Sequence, residues 1–220
     1  MEAADERTGP IAPIDARLAH WAGDPDGRLR AGRQALVLAG MYVVFIATYV
    51  SINLFSAGRA AHVLYLPGEE RVPLLPIFEY LYLLTYFVGV VVVLTVHDVE
   101  RFHRLLRATA LSLLVAYATY LVFPVYLERP RLEVTSLHSW LLSLEYLDGR
   151  YNNFPSLHVT LSWLAVHAAQ VSRPTRSWLA IVATGISIST LFVRQHYVAD
   201  VVYGFVLAWV AWRVSRIRPS

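Results

Sequence analysis

The stretch that decides the fold is residues 35–55, ALVLAGMYVVFIATYVSINLF, which contains no charged residue. A helix needs about 20 mostly apolar residues to cross the hydrocarbon core of a bilayer. The run is also too long for the apolar segment of a cleavable signal peptide. The whole chain has 220 residues, of which 56% are hydrophobic and 16% charged, whereas soluble domains average roughly 45–50% and about 25%. The sequence therefore predicts an integral membrane protein, and it argues against a soluble domain, a disordered chain or a solenoid.

Further apolar runs follow the first, and together they predict six membrane spans. The spans are residues 35–55, 74–96, 108–126, 157–171, 178–193 and 197–214. We therefore expect an all-α fold, a bundle of six transmembrane helices, with residues 34–216 forming one catalytic membrane domain. The fourth and fifth spans are short and contain Ser, Thr, His or Gln, so we expect them inside the bundle.

Residues 1–33 are polar and are expected to form a cytoplasmic N-terminal tail. Ile14, Leu18 and Trp21 follow one another at helical spacing, which is typical of a helix lying on the membrane surface. A loosely ordered tail is the alternative.

The arginines predict the orientation of the bundle, because basic residues are enriched in cytoplasmic loops. All 19 basic residues are arginine, and the predicted loops and tails place 13 on one side of the membrane and 6 on the other. Both termini are therefore expected in the cytoplasm, in a multi-pass protein of the cell membrane. The loop between spans three and four then faces outward, where an amphipathic helix is expected on the outer leaflet from Trp140, Leu141, Leu144 and Leu147.

Two features of the composition narrow the function. The chain has no cysteine, which excludes disulfides, thiolate catalysis and cysteine-based metal sites. The net charge is only +3 and its arginines are dispersed, so nucleic acid is not an expected partner. The expected partners are the lipid bilayer and a membrane lipid.

Three polar segments lie at the predicted membrane boundaries: residues 128–131 (ERPR), 152–158 (NNFPSLH) and 194–200 (RQHYVAD). The chain crosses the membrane twice between the second and third segments. All three are therefore expected to meet at the same face, the extracytoplasmic one.

The residue types in these segments suit phosphoryl chemistry. His196 and Asp200 are four residues apart and share one helix face, so the carboxylate can fix the tautomer and leave the other ring nitrogen as a nucleophile. His158 can protonate a leaving oxygen. Ser156 begins a helix, whose free N–H groups attract anions. Forked cationic donors for phosphate oxygens are available from Arg129, Arg131 and Arg194.

The motifs resemble those of the type 2 phosphatidic acid phosphatase superfamily, whose pattern is Lys-x6-Arg-Pro, then Pro-Ser-x-His, then Ser-Arg-x5-His-x3-Asp. Arg129-Pro130 matches the end of the first motif, and residues 155–158 match the second in full. Ser189, His196 and Asp200 match most of the third. The resemblance covers about residues 74–214, and six spans are the architecture of that family.

The chain departs from the pattern at two cationic positions, where it has Val122 and Thr190. Arg131 and Arg194 are candidate replacements. The style of residues 151–158 and 195–197 is similar to the inositol phosphorylceramide synthases and their bacterial relatives, which transfer phosphorylated headgroups between lipids. Fewer cations favour a phosphodiester, with one negative charge, over a phosphomonoester, with about 1.5 to 2 near pH 7.

The resemblance implies a role for each matched residue. His196 forms a phosphohistidine, Asp200 supports it, and His158 protonates the leaving group. The implied phosphate ligands are Ser156, Arg129 and Ser189. The family uses no metal, and the resemblance implies no other cofactor.

The leading functional prediction is a lipid phosphoesterase, a phosphatase if water accepts the phosphoryl group and a phosphotransferase if a hydroxyl does. Candidate substrates are phosphatidic acid, phosphatidylglycerol phosphate, a polyprenyl phosphate or diphosphate, and a phosphoinositol lipid. One alternative is a headgroup transferase that uses a phosphodiester donor. Another is a non-catalytic protein that binds or transports lipid. Glu79, an ionisable residue inside a span, either pairs with an arginine of the site, lines a lipid path or stays hydrated near the interface.

Overall fold

The structure, a computed structural model, describes residues 14–216, and that part of the chain is helical. The helices are α1 (Ile14–Ala22), α2 (Ala31–Ser56), α3 (Pro76–Thr95), α4 (Val99–Val122), α5 (Leu137–Glu145), α6 (Leu157–Ala168), α7 (Arg173–Phe192) and α8 (Val198–Val214). Helix α3 alternates between 3₁₀ and α turns, and a separate 3₁₀ turn spans Glu69–Arg71. Within the described range there are isolated β-bridges but no strand. The all-helical fold is therefore confirmed.

Helices α2, α3 and α4 are long and apolar enough to cross a membrane. Helix α6 has 12 residues, a length of about 18 Å at 1.5 Å per residue, against about 30 Å for the hydrocarbon core. The count of six spans consequently stays a prediction. Helix α4 begins at Val99 rather than near residue 108, because the Asp98 side chain accepts a hydrogen bond from the backbone N–H of Arg101 at 2.7 Å and caps the helix.

Helix α6 lies at the centre of the bundle. Most of its residues are buried: Leu157, Val159, Thr160, Ser162, Leu164, Ala165, Val166 and Ala168. The outer helices instead expose large apolar side chains, among them Leu36, Val43, Leu54, Leu94, Leu114, Val202 and Phe205. An apolar surface of this extent is typical of contact with lipid.

Both expected surface helices form. Residues 14–22 form α1, on which Ile14, Leu18 and Trp21 are exposed, while residues 1–13 of the expected tail lie outside the described residues. On α5, Trp140 and Leu144 are exposed whereas Leu142 is fully buried. Contact of these exposed faces with the membrane stays a prediction.

The bundle has two ends with different chemistry. The histidine end, named after His158 and His196, contains the starts of α6 and α8 and the segment after α4, where Val125 bridges Asn152. The arginine end contains the starts of α4 and α7 and the ends of α6 and α8. Arg101 connects the start of α4 to the end of α6, because its guanidinium donates to the carbonyl of His167 at 2.8 Å.

Helices α6 and α8 pack closely at the histidine end. The hydroxyl of Thr160 donates to the carbonyl of Gly204 at 2.9 Å, and the N–H of Ser156 donates to the carbonyl of Asp200 at 3.0 Å. A Cβ added at Gly204 would lie 2.6 Å from the Ser156 carbonyl oxygen. Only glycine permits this approach, as is common where membrane helices meet.

We expect Gly204→Ala to destabilise the protein, because the added methyl group must push α8 away from the α6 backbone. Overpacking of this kind costs about 1–3 kcal/mol. Thermal unfolding in detergent measures the loss, with Gly40→Ala as the control, since a Cβ at Gly40 meets nothing within 4 Å. Equal stability of the two variants would contradict the packing argument.

Candidate active site

A line of hydrogen bonds joins the side chains at the histidine end. The Nδ1 atom of His158 lies 3.1 Å from Nε2 of His196, and Nδ1 of His196 lies 3.2 Å from an Asp200 carboxylate oxygen. The Tyr82 hydroxyl, from α3, lies 2.9 Å from Nε2 of His158. The structure thus brings the two histidines and the aspartate of the sequence prediction together, and it adds a tyrosine.

One set of tautomers satisfies every bond in this line with both rings neutral. His196 donates from Nδ1 to Asp200, His158 donates from Nδ1 to His196, and Tyr82 donates to His158. In this arrangement Nε2 of His196 keeps a lone pair directed towards His158. Nε2 is thus the ring nitrogen of His196 that could act as a nucleophile.

Burial and a backbone hydrogen bond hold the Asp200 carboxylate in place, in addition to its hydrogen bond with His196. It is fully buried, and the oxygen that faces His196 also accepts the backbone N–H of Tyr197 at 2.8 Å. A single carboxylate oxygen of Asp200 therefore both caps the start of α8 and orients the His196 ring.

Arg129 is the matched cation of the first motif, and it lies beside these histidines. Its guanidinium donates to the carbonyls of Tyr146 at 3.0 Å and Asp148 at 2.7 Å and to the side-chain oxygen of Gln195 at 2.7 Å. Burial lowers the pKa of Arg129, and the negative charge of Asp148 opposes this effect. The cation is thus held rigidly by oxygens around it.

The two serines of the motifs are bound to their own helices. Ser156 caps α6 by accepting the N–H of Val159 at 3.4 Å, whereas the Ser189 hydroxyl donates to the Ile186 carbonyl at 2.7 Å. Both are fully buried.

The two candidate replacement arginines lie elsewhere. Arg131 is exposed on the loop after α4. Arg194 has a positive φ of 55°, and its guanidinium donates to the backbone carbonyls of Glu70 at 3.0 Å and of Val72. In this structure Arg194 therefore binds the loop before α3.

The unmatched motif positions also carry no charge near the histidines. Val122 is exposed at the end of α4. Thr190 is buried, and its backbone carbonyl accepts the N–H of His196 at 3.2 Å. The residue at the arginine position of the family pattern thus positions the histidine through its backbone.

Sequence reasoning missed two contributors, Tyr82 and Glu69. The carboxylate of Glu69 accepts the N–H of Val198 at 2.5 Å and that of Leu66 at 3.0 Å, so it caps the first turn of α8 from a distant loop. Neither residue belongs to a motif. Only the tertiary fold reveals their roles.

Glu79 is fully buried, and neither of its carboxylate oxygens has a hydrogen-bond partner among residues 14–216. It lies three residues before Tyr82 on α3. No arginine in the described range pairs with it, which removes one of its three possible roles.

In the described range no group of three or more His, Asp and Glu side chains converges on a metal position.

Comparison with known proteins identifies the family. The family model described as the PAP2 superfamily matches residues 105–219, which is more than half of the chain. The chain therefore belongs to the PAP2 superfamily. No curated protein and no solved structure matches it. Membership supports a lipid phosphoesterase of the phosphatase or phosphotransferase type.

We expect His196 to stay neutral in mildly acidic solution. Burial, and after it the positive charge of Arg129, lower the pKa of His196 from its ordinary 6.5 to about 3. A free imidazole is mostly protonated at about pH 5, whereas His196 should keep its lone pair there. Side-chain ¹⁵N NMR of the purified protein measures the state of the ring, with His196→Asn to assign its signals. An imidazolium signal from His196 near pH 5 would contradict this expectation.

Proposed function

We propose that the protein is an integral-membrane lipid phosphoesterase that works through a phosphohistidine on His196. The observation that carries the proposal is the hydrogen-bonded chain of His158, His196 and Asp200. It lies where the N-terminal ends of α6 and α8 come together. Family membership supports the reaction class, and the hydrogen-bonded chain supplies a nucleophile, its orienting carboxylate and a proton carrier.

In the first step Nε2 of His196 attacks phosphorus, and the bond from phosphorus to the leaving oxygen breaks. His158, which is neutral in the free protein, takes up a second proton from solvent on Nε2 as substrate binds, and it then gives its Nδ1 proton to that oxygen. In the doubly protonated form its Nε2–H donates to the Tyr82 oxygen, which changes from donor to acceptor. Asp200 stabilises the positive charge on the phosphorylated ring.

In the second step water or a hydroxyl group attacks phosphorus and the nitrogen–phosphorus bond breaks. The acceptor loses its proton to Nδ1 of His158, and loss of the Nε2 proton to solvent as the product leaves restores the neutral free protein. The phosphoryl group must enter between Nδ1 of His158 and Nε2 of His196, which lie 3.1 Å apart. We therefore expect the rings to separate when substrate binds.

The proposed topology has six spans, both termini in the cytoplasm and the histidine end at the outer face. The arrangement of arginines supports it, since the starts of α4 and α7 and the end of α8 lie at one end of the bundle. The enzyme is proposed to need no metal, because an imidazole is the nucleophile and Arg129 is an anion ligand.

The second candidate is transfer of a phosphorylated headgroup from a phosphodiester donor to a hydroxyl acceptor. It is favoured by the charge near the histidines, because positions 122 and 190 are uncharged, Arg131 is exposed and Arg194 binds a loop. A diester brings less negative charge to compensate. Candidate diester donors include phosphoinositol lipids. For phosphate release, the candidate substrates are phosphatidic acid, phosphatidylglycerol phosphate and polyprenyl phosphates or diphosphates.

We expect His196→Ala and Asp200→Asn to abolish turnover, because the first removes the nucleophile and the second removes the charge that supports it. Purified wild type and variants are given a panel of lipid phosphates and diphosphates with a chelator present, and phosphate release is measured. His20→Ala, an exposed histidine of α1, is the control.

The outcomes separate the candidates. Release by wild type and His20→Ala alone supports a metal-independent phosphatase and identifies its substrate class. Release from no member leads to a diester donor with a hydroxyl acceptor. Failure of both reactions, together with no binding of vanadate, would favour the non-catalytic alternative. Turnover by pure His196→Ala would contradict the phosphohistidine.

We expect Tyr82→Phe to lower kcat about threefold to tenfold, because it removes one neutral hydrogen bond to His158. KM should change little, since Tyr82 positions the proton carrier. Tyr80→Phe is the matched control, from the same helix but exposed. Steady-state kinetics decide, and equal kcat in both variants would remove Tyr82 from the mechanism.

A further inference from the structure

A cavity of about 230 Å³ lies at the arginine end of the bundle. Its lining includes Arg101, Arg176, Arg213, Arg216, His167 and Trp212. Along α8, Arg213 is thirteen residues from Asp200, which corresponds to about 20 Å. The cavity is therefore separate from the proposed active site.

Two of the arginines are held in place by the end of α6. Arg101 donates from Nε to the Ala168 carbonyl at 3.0 Å and from Nη2 to the His167 carbonyl at 2.8 Å. Arg176 donates to the Ala169 carbonyl at 2.9 Å. These carbonyls form the negative end of the helix. They orient the guanidiniums but supply no full negative charge.

Aromatic rings hold further guanidiniums around the same space. Arg104 lies 3.7 Å from the centre of the Trp212 ring, and Arg213 lies 5.1 Å from that of Trp209. Stacking of this kind restricts an arginine without neutralising it.

The positive charge has little compensation within the described residues. The guanidiniums of Arg101 and Arg176 donate to neutral backbone carbonyls, and the ion pairs Arg71–Glu70 and His196–Asp200 lie elsewhere in the bundle. Asp98 lies nearby and its negative charge compensates part of the charge of Arg101, while its oxygens accept the backbone N–H of Arg101 and the side-chain amide of Gln170. His167 adds a buried Nε2 atom without a hydrogen-bond partner. Like charges collected around a concavity repel one another unless an anion joins them.

We propose that this cavity binds a phosphate-bearing anion, the headgroup of an acidic lipid or a soluble polyphosphate. Guanidiniums bind phosphate oxygens through paired hydrogen bonds, and basic pockets between membrane helices suit acidic headgroups. The cavity is smaller than the roughly 300–1,000 Å³ of sites for drug-sized ligands, which fits a headgroup. It is a second anion site, at the opposite end from the one at which catalysis is proposed.

The test compares two double variants of equal charge, both in a His196→Ala background so that no probe is consumed. Arg213→Gln with Arg216→Gln changes two exposed cavity arginines, whereas Arg28→Gln with Arg30→Gln changes two exposed arginines of the same end outside the cavity. Inorganic pyrophosphate is titrated by calorimetry, and short-chain phosphatidylglycerol in detergent by native mass spectrometry. Any binding at the histidine end is common to both variants and cancels. Thermal unfolding verifies that both are folded.

We expect the cavity variant to bind at least one probe about tenfold or more weakly, and the control to stay within about twofold of the background protein. Loss of phosphatidylglycerol binding assigns the cavity to a lipid headgroup. Loss of pyrophosphate binding alone assigns it to a soluble anion. Equal binding by both variants, or no binding by the background protein, would overturn the proposal. Arg176→Gln gives an independent reading, since it changes a different wall of the cavity.

Discussion

The close contact between α6 and α8 is the constraint on which the candidate site depends. Backbone of α6 lies against backbone of α8 because position 204 has no side chain, and Thr160 and Ser156 fasten the contact with hydrogen bonds. The side chains of the candidate site lie at or next to the first turns of these helices. If the helices moved apart by the width of a methyl group, the bond between the two imidazoles would be lost. In this protein the packing of small residues, common in membrane bundles, sets the geometry of the candidate site.

Much of this could be predicted from the sequence. Apolar runs identified the helices, and the order of the polar segments placed His158, His196 and Asp200 at one end. The rest depends on tertiary contacts that no local pattern encodes. Arg194 looked like a phosphate ligand because it is adjacent to Gln195 and His196, but a left-handed backbone at this residue directs its guanidinium to another loop. Tyr82 lies in an apolar run with several tyrosines, and nothing local distinguishes it from them.

The charged side chains at the two ends of the bundle differ in how far they are compensated by neighbouring groups. At the histidine end a fully buried carboxylate faces an imidazole, and the cation of Arg129 is surrounded by carbonyl oxygens. At the arginine end several guanidiniums lie together with few carboxylates. The first arrangement suits a group that must change its proton and bond partners repeatedly. The second suits an anion that stays bound. A single short helix, α6, connects them, since it begins beside His158 and ends at the carbonyls that Arg101 binds.

The surface helices α1 and α5 have a consequence for depth in the bilayer. Helix α1 lies at the arginine end, where the segment that follows it donates a hydrogen bond from Leu29 to the carbonyl of His97. Helix α5 lies at the histidine end, where Tyr146, the residue after it, donates a hydrogen bond to the carbonyl of Val193. Between these ends runs α4, whose 24 residues span about 36 Å. If both helices rest on the membrane, as proposed from the sequence, two amphipathic anchors a fixed distance apart would measure the hydrophobic thickness of the bilayer. A bilayer thinner or thicker than that distance would shift the histidines relative to the plane of lipid phosphates, so lipid chain length would control access to the site without any contact with the headgroup.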